Sequence, residues 1–281
     1  MGPPLRAPGR RSGAHDPTLG AEIVTYSSYL RLPELLALQR PLSEGPEHDE
    51  LLFIIIHQVY ELWFKELLHE LDYLRDRLVA GDTPRVLHTL KRVLTILKVL
   101  VSQIDVLETM TPLEFLSFRD RLATGSGFQS RQFRELEMVL GQKRRPAVEH
   151  YAEGGDDRRR LEARFADPSL WDALLRYLAT AGHPVPPSAL QRDVTRPVET
   201  APELHDLLLR VYRDDPAAGG VCERMVDLDE GMQEWRYRHV KMVQRTIGTK
   251  PGTGGSAGAE YLMTTLNRPA FPDLWAIRTR L

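Results

Sequence analysis

Cysteine is almost absent from this sequence of 281 residues: the only one is Cys222. No disulfide bond can form within the chain, which is consistent with a reducing compartment. The N-terminal stretch MGPPLRAPGRRSGAHDP contains arginines but no apolar run behind them, so it is not typical of a secretory signal. We therefore expect a cytoplasmic protein with a disordered tail over residues 1–18, rich in Pro, Gly and Arg, and one domain over residues 19–281.

Long apolar runs and an excess of either charge are also missing. The uninterrupted apolar stretches are far shorter than the roughly 20 residues that a membrane span needs. The net charge is -2 and the pI is about 6.5, so nothing in the charge balance favours nucleic acid or an anionic membrane as partner. Hydrophobic residues at 42% and charged residues at 27% instead predict an ordinary globular protein with a sizeable core.

Signals for β-strands and internal repeats are absent as well, and helical signals dominate. We predict helices over about residues 46–79, 84–109, 128–140, 168–181, 202–213 and 219–247. Gly81 is the expected stop of the first helix, and Asp82 and Asp167 are the expected caps of the second and the fourth. Thr111 and Glu114 form a capping box with Pro112 at the first helical position, which predicts a further short helix there. Residues 143–166 form a polar stretch that could be partly helical, and residues 184–197 are typical of a loop. The expected fold is all-α, a single helical bundle with one Gly-rich loop near its C-terminus.

Several familiar catalytic motifs are missing. There is no H-E-x-x-H, no pair of cysteines, no G-x-S-x-G elbow and no P-loop. A di-iron carboxylate bundle needs two Glu-x-x-His motifs, and only one occurs, from Glu66 to His69. These absences exclude the commonest zinc, serine-hydrolase and nucleotide sites.

One histidine lies within an apolar seam of the last long helix. The seam positions are spaced alternately four and three residues apart: Val221, Met225, Leu228, Met232, Trp235, His239, Met242 and Thr246. His239 could be a hydrogen-bonded core histidine, which is the commoner case for such a position. It could also be the axial ligand of a flat apolar cofactor, because neutral imidazole is the usual proximal ligand of haem iron.

A second histidine interrupts the apolar stretch FIIIHQVYELWFK. Phe53, His57 and Glu61 are four residues apart and share one helical face. A structural histidine paired with Glu61 is one interpretation, and a pocket histidine is the other. The spacing alone does not show whether His57 and His239 face each other.

Two further features could bind a ligand. Arg119 points to the same side as Phe115, and a buried guanidinium there needs either an internal carboxylate or the carboxylate of a ligand. The loop GTGGSAG, residues 252–258, is either a flexible linker or a lid that offers backbone N–H groups and the Thr253 hydroxyl to a ligand.

Five blocks of this sequence together resemble the tryptophan 2,3-dioxygenase family. They are TYSSYL, FIIIHQVYELWFKELLHEL, LETMTPLEFLSFR, SGFQSRQFRELE and EWRYRHVKMVQRTIGTKPGTGGSAGAEYL, which extend in the family's order from about residue 25 to residue 262. The patterns HQ-x-x-ELWFK and R-H-x-x-M-V-x-R-x-I-G, followed by GTGGS, are specific to the family. The short chain resembles the compact bacterial members.

The resemblance implies a haem b enzyme with an all-α fold, assembled as a homotetramer. It would insert O2 across the indole C2–C3 bond of L-tryptophan to give N-formylkynurenine, the first step of the kynurenine route. His239 would be the proximal ligand of the haem iron, and His57 would hydrogen-bond the indole N–H. The remaining residues carried over would bind substrate: Arg119 the carboxylate, Thr253 the ammonium group, Phe53 and Phe115 the indole, and Tyr26, Tyr29 and Leu30 from a neighbouring subunit.

The sequence departs from the family in one loop. Residues 123–130 read ATGSGFQS, where the family often has Pro-Ala-Ser-Gly-Phe-Gln-Ser, so the shape of this loop does not follow from the resemblance. Two other classes of function compete with the enzyme. A haem- or tryptophan-binding sensor would keep the pocket without turnover, and a helical scaffold would have no need for an amino-acid clamp.

Overall fold

The computed structural model describes residues 24–253 and 258–281. The regular elements within those ranges are all helices, which confirms the all-α prediction. The α-helices are α1 Tyr26–Leu30, α2 Leu32–Leu35, α3 His48–Val79, α4 Thr83–Leu107, α5 Pro112–Arg119, α6 Arg131–Val139, α7 Arg145–Glu149, α8 Asp156–Ala166, α9 Leu170–Thr180, α10 Pro187–Leu190, α11 His205–Asp214, α12 Pro216–Ile247, α13 Ala259–Met263 and α14 Pro272–Ala276. Short 3₁₀ turns cover Asp120–Leu122, Gly127–Gln129, Pro202–Leu204 and Arg278–Arg280. The predicted tail over residues 1–18 and the middle of the Gly-rich loop, residues 254–257, lie outside the described residues.

The described chain divides after Arg40 into two units. In the first, α1 begins at a reciprocal cap, in which the Thr25 hydroxyl accepts from the Ser28 backbone and the Ser28 side chain accepts from the Thr25 backbone. Arg31 then adopts a left-handed conformation with φ of 51°, which separates α1 from α2. Large apolar side chains of this unit are exposed, with Tyr26 and Tyr29 each at 77%.

The second unit, residues 41–281, contains the long helices, and signals in the sequence mark two helix starts and one helix end in it. The Asp82 carboxylate accepts a hydrogen bond from the Arg85 backbone at the start of α4. Thr111 and Glu114 form the predicted capping box at the start of α5, with Pro112 at the first helical position. Helix α3 ends at Val79, close to the predicted stop at Gly81, which has φ of +70°.

Other boundaries differ from the prediction. Helix α9 starts later than expected, at Leu170 and not at residue 168. Ser169 and not Asp167 supplies the cap, because the Ser169 hydroxyl accepts a hydrogen bond from the Asp172 backbone N–H. Helix α12 starts earlier, at Pro216, because the Asp215 carboxylate accepts from the two backbone N–H groups that follow. The polar stretch over residues 143–166 contains two helices, and the predicted loop over residues 184–197 contains the single turn α10.

The core of the second unit lies between α3, α4 and α12, and α4 packs against both of the other two along much of its length. Helix α9 covers α3, and α11 covers α12. The seam predicted for α12 is buried at Val221, Met225, Leu228, Met232, Trp235 and Met242. This packing places the C-terminal half of α12 opposite the N-terminal half of α3, where the two singled-out histidines lie.

Candidate functional site

A single cavity brings together the ends of these long helices. It encloses about 270 Å³ and opens into a wider cleft, so that its total empty space, solvent at the mouth included, is about 1650 Å³. Helices α3, α5, α6 and α12 form its walls, and the loops at residues 122–130 and 252–253 border it. Both His57 and His239 line this cavity, which answers the question that helical spacing left open.

His57 is held in one tautomer by its own helix. Its Nδ1 lies 2.7 Å from the carbonyl oxygen of Phe53, and because a carbonyl can only accept, Nδ1 carries the proton. Nε2 therefore keeps a lone pair, and it has no hydrogen-bond partner among the described residues. Glu61 is not the partner of His57, since it accepts from the Gln132 side chain at 2.8 Å. Burial lowers the pKa of His57 below its ordinary value of 6.5, and the Phe53 carbonyl and Glu61 oppose this effect.

His239 lies one turn after Trp235, whose ring is stacked on the imidazole with centroids 5.2 Å apart and planes 7° from parallel. Neither imidazole nitrogen has a hydrogen bond within the described part of the chain, so His239 is not the hydrogen-bonded core histidine of the first interpretation. Burial lowers the pKa of His239 from 6.5 to about 4. Electrostatic repulsion from protonated His57, from Arg236 and from Arg134 acts in the same direction. The ring is therefore neutral near pH 7, the state in which imidazole binds metals.

Aromatic rings form the apolar part of the wall around His57. The Phe53 ring lies 4.1 Å from the His57 ring and 5.7 Å from that of Phe115, centroid to centroid. Phe118 completes the cluster at 5.5 Å from both phenylalanines and is fully buried. The cluster provides an apolar aromatic surface beside a single hydrogen-bond acceptor, the kind of wall that recognises an aromatic ligand with one N–H group.

Arg119 and Thr253 lie at the mouth of the cavity, where two loops meet. The Arg119 Nη2 donates to the Pro251 carbonyl at 2.7 Å, and the Thr253 hydroxyl donates to the Gly125 carbonyl. No carboxylate lies within ion-pair distance of Arg119 in the ranges that the structure describes, so the internal-carboxylate interpretation does not apply. Both side chains are held at the cavity by backbone carbonyls alone, which a ligand with its own charged groups can displace.

The loop that departs from the family pattern also borders the cavity. Ala123 has φ of +47°, an unusual conformation for a residue with a Cβ atom, and the Gly125 N–H then donates to the Leu122 carbonyl at 2.7 Å. The Ser126 side chain caps the following 3₁₀ turn. The loop thereby presents the Gly125 carbonyl to Thr253.

A buried charge cluster, which sequence reasoning missed, forms the far wall. Glu137 accepts hydrogen bonds from Arg134 at 2.6 Å, Arg144 at 2.7 Å and Arg236 at 3.0 Å. Burial alone would raise the pKa of Glu137, but the three guanidinium groups more than offset it and hold the pKa below 4.5. One carboxylate cannot neutralise three guanidinium groups, so the cluster keeps two surplus positive charges.

Two donors of this wall are left unpaired. The Nε of Arg134 is buried and has no hydrogen-bond partner in the described residues, and Trp235 Nε1 likewise lacks a partner of normal geometry. Arg134 is otherwise enclosed by rings, with its guanidinium carbon 4.8 Å from the Phe128 centroid and 5.3 Å from that of Phe133. Unpaired buried donors are costly to the free energy of folding, and both lie in the wall of the cavity. The blocks SRQFRELE and EWRYRH carry these residues, but nothing in their helical spacing shows that they meet.

Tyr26, Tyr29 and Leu30 belong to the first unit, where they are exposed at 77%, 77% and 41%. Within residues 24–253 and 258–281, no cluster of three or more His, Cys, Asp or Glu side chains could hold a metal ion by itself. In the same ranges no helix is long and apolar enough to cross a membrane.

The fold and the site together define a class: an all-α protein with a deep cavity that pairs neutral histidines with an aromatic wall and a surplus of positive charge. Comparison with known sequences narrows the class. The family model described as tryptophan 2,3-dioxygenase matches residues 12–178 and 205–281 of this chain, and the chain belongs to that family.

Proteins named tryptophan 2,3-dioxygenase are similar along almost the whole chain. One from Herpetosiphon aurantiacus is 58% identical over 261 residues, which is 93% of this chain and 100% of that protein. One from Anaeromyxobacter sp. (strain K) is 60% identical over 267 residues, 95% of this chain and 99% of that protein. A more distant one from Caulobacter vibrioides is 44% identical over 264 residues.

Proposed function

We propose that this protein is a haem-dependent dioxygenase that inserts both atoms of O2 across the indole C2–C3 bond of L-tryptophan. The product is N-formylkynurenine, and the reaction is the first step of tryptophan degradation by the kynurenine route. Membership of the family supports the reaction class. The observation that carries the proposal in this chain is the cavity in which His57 and His239, both neutral, lie together.

The residues of the cavity fit a b-type haem. His239 is neutral, lacks a hydrogen bond among the described residues and lines the cavity, so it would hold the iron. A haem carries two propionates, and the net positive charge of Arg134, Arg144 and Arg236 around the single carboxylate of Glu137 favours them electrostatically. No C-x-x-C-H motif exists, so the haem would bind without a covalent bond. When bound, the haem supplies the iron that binds and activates O2.

His57 would orient the indole. Its Nδ1–H is committed to the Phe53 carbonyl, so the lone pair on Nε2 can accept the indole N–H. The phenylalanine wall would hold the ring plane, with Phe53 and Phe115 in contact with the indole and bulk water excluded from the reacting carbons. A neutral imidazole with a lowered pKa is a poor base for an indole N–H, so we assign His57 to orientation and not to proton removal.

Arg119 and Thr253 would bind the amino-acid part of the substrate. The substrate carboxylate would replace the Pro251 carbonyl on Arg119, because a planar guanidinium donates two parallel hydrogen bonds to a carboxylate. The Thr253 hydroxyl would turn from the Gly125 carbonyl to the ammonium group. Both exchanges occur where residues 250–253 meet the loop at residues 123–130, so bound substrate would replace the direct hydrogen bonds there with bonds to its own carboxylate and ammonium groups.

We further propose a homotetramer in which Tyr26, Tyr29 and Leu30 complete the pocket of a neighbouring subunit. The first unit leaves these three side chains and Leu36 exposed, and exposed apolar surface of this kind favours a protein partner. Light scattering at assay concentration should give four chains per particle, with full activity only in that form. A fully active monomer would contradict this assembly. A cytoplasmic location is consistent with the single, buried Cys222.

A visible spectrum of the purified protein tests the proposal. We expect a Soret band from bound haem, a shift of that band when tryptophan is added without O2, and turnover to N-formylkynurenine when air is admitted. A tryptophan-dependent shift without any product would instead identify a sensor. A protein that binds no haem would overturn the proposal.

A further inference from the structure

A second cavity lies behind the far wall of the first. The two cavities share Glu137, Arg236 and Thr265, and the second is otherwise bounded by Gly141–Gln142, by residues 197–200 and by residues 267–272. It encloses about 490 Å³. Cavities of about 300–1,000 Å³ are the size that binds small molecules, so this one can hold a ligand of its own.

The charges around the second cavity favour an anion. Its lining includes the three guanidinium groups of Arg144, Arg236 and Arg268 against the carboxylates of Glu137 and Glu199. Glu137 is already shared with Arg144, Arg236 and the nearby Arg134. Arg236 donates only through Nη2, to Glu137 and Gln142, which leaves its Nε and Nη1 without partners in the described part of the chain. Arg268, exposed at the rim, has no ion pair there either, and the single opposing charge at the rim is the exposed Glu199.

The rest of the lining combines polar side chains, Gln142, Thr200, Thr265 and Asn267, with apolar and stiff segments. Pro197, Pro269 and Pro272 fix the backbone of the two bordering segments. The Val198 N–H donates to the Gly141 carbonyl at 3.1 Å, and a Cβ atom at Gly141 would lie only 2.5 Å from Val198 Cγ2. The cavity is therefore formed before a ligand arrives, and binding costs little ordering entropy. Val198 and Pro269, both half-buried, offer the apolar contact surface.

We propose that this second cavity binds a small organic carboxylate, with its carboxylate on Arg236 and Arg268 and its carbon skeleton against Val198 and Pro269. The inference goes beyond the dioxygenase reaction and does not rest on it. A ligand in the second cavity would also affect the first cavity, because Glu137 links Arg236 to Arg144. The Nη1 of Arg144 donates to the Tyr261 hydroxyl at 2.7 Å. Tyr261 lines the first cavity, so the ligand is a regulator by position.

4-Fluorobenzoate, observed by ¹⁹F NMR, is a suitable probe, and 4-fluorobenzamide is its neutral counterpart. The full-length protein as purified is first saturated with tryptophan in the absence of O2, so that Arg119 is occupied. We expect 4-fluorobenzoate to bind with millimolar or better affinity and 4-fluorobenzamide at least about tenfold more weakly, the cost of losing a charge-assisted hydrogen bond.

Two variants in the exposed rim test the location without disturbing the core. Thr200→Trp places an indole in the cavity and should abolish binding, and Arg268→Gln should weaken it about tenfold. Arg160→Gln, on the exposed face of α8, is the control and should bind like the parent. Arg119→Lys should also bind the probe normally, since Arg119 belongs only to the first cavity.

Three outcomes would overturn the proposal. The first is the absence of binding at millimolar concentration. The second is equal binding of the acid and the amide, which would remove the role of the arginines. The third is binding that survives Thr200→Trp but is lost in Arg119→Lys, which would assign the probe to the first cavity.

Discussion

At the scale of single residues, the two cavity histidines have the same charge state for different purposes. Burial lowers the pKa of both, which keeps an acceptor lone pair on His57 and a metal-binding lone pair on His239 at neutral pH. Because the pKa of each ring is lower in the folded protein than in the unfolded chain, the folded protein favours the neutral ring. The free energy of unfolding should therefore not depend on these two groups above pH 6.5, the ordinary histidine pKa, and should fall as pH drops below it, which denaturant unfolding at a series of pH values measures. Haem binding to the folded protein should weaken only as pH approaches the lowered pKa of His239, about 4.

The assignment of His239 predicts a specific loss. His239→Ala removes the sole side chain proposed to bind the iron, so the purified variant should lose most of its haem or show a displaced Soret band. Haem content by the pyridine haemochrome method and the visible spectrum measure this. The control is His69→Ala on the exposed face of α3, which should keep the parent spectrum. An unchanged spectrum in His239→Ala would refute the ligand assignment.

The assignment of Arg119 predicts that lysine cannot replace it. Lysine keeps the charge but loses the planar pair of donors, so Arg119→Lys should weaken tryptophan binding by roughly 1.5–3 kcal/mol, about ten- to a hundredfold. An indole without the amino-acid part should bind as before. Arg121→Lys, two residues further on and exposed, is the matched control. Near-normal kcat/KM for tryptophan in Arg119→Lys would contradict the clamp.

The assignment of His57 separates orientation from base catalysis. Loss of an obligatory base costs about 10²–10⁴-fold in rate, whereas loss of one orienting hydrogen bond should cost near the lower bound, with much of it in substrate binding. We expect His57→Ala to retain measurable turnover, and 1-methyltryptophan, which has no indole N–H, to be affected little by the substitution. Complete inactivity of a variant that still binds haem and tryptophan would restore the base.

At the scale of elements, the two segments that border the second cavity depend on a close contact between Gly141 and Val198. Gly141 has φ of +90°, and a Cβ there would lie 2.5 Å from Val198 Cγ2. Gly182, with φ of +92°, has nothing within 4 Å of a Cβ. Gly141→Ala should therefore lower the free energy of unfolding by about 2–4 kcal/mol, from strain and overpacking, and Gly182→Ala by only about 1 kcal/mol. If denaturant unfolding showed the same loss of unfolding free energy for both substitutions, the segment at Val198 would be able to move away from the added methyl group at little cost.

At the scale of the whole molecule, the sequence predicted what depends on local chemistry. The start of α5 followed from Thr111 and Glu114, and the buried face of α12 followed from its four-and-three spacing. The start of α9 was missed because Ser169 and Asp167 are both good caps, and only packing selects between them. The Glu137 cluster was missed for another reason: Glu137 and Arg236 are 99 positions apart, so only the fold brings them together.

The proposed roles of His57, His239, Arg119 and Thr253 rested on the family resemblance, and one cavity now brings the four together. The resemblance could not have indicated that Pro251 and Gly125 hold Arg119 and Thr253, because those contacts are made by backbone carbonyls. A backbone carbonyl is present whatever the side chain at that position, so these contacts leave no signal in the sequence. A comparison of motifs cannot detect such contacts.

The central claim is that this cavity directs both atoms of O2 into tryptophan. The most direct test is a reaction of the haem-containing protein with L-tryptophan under ¹⁸O₂, followed by mass spectrometry of the product before its formyl group is hydrolysed. We predict N-formylkynurenine with both oxygen atoms labelled. A product with one labelled atom, or consumption of O2 without any change in tryptophan, would contradict the claim.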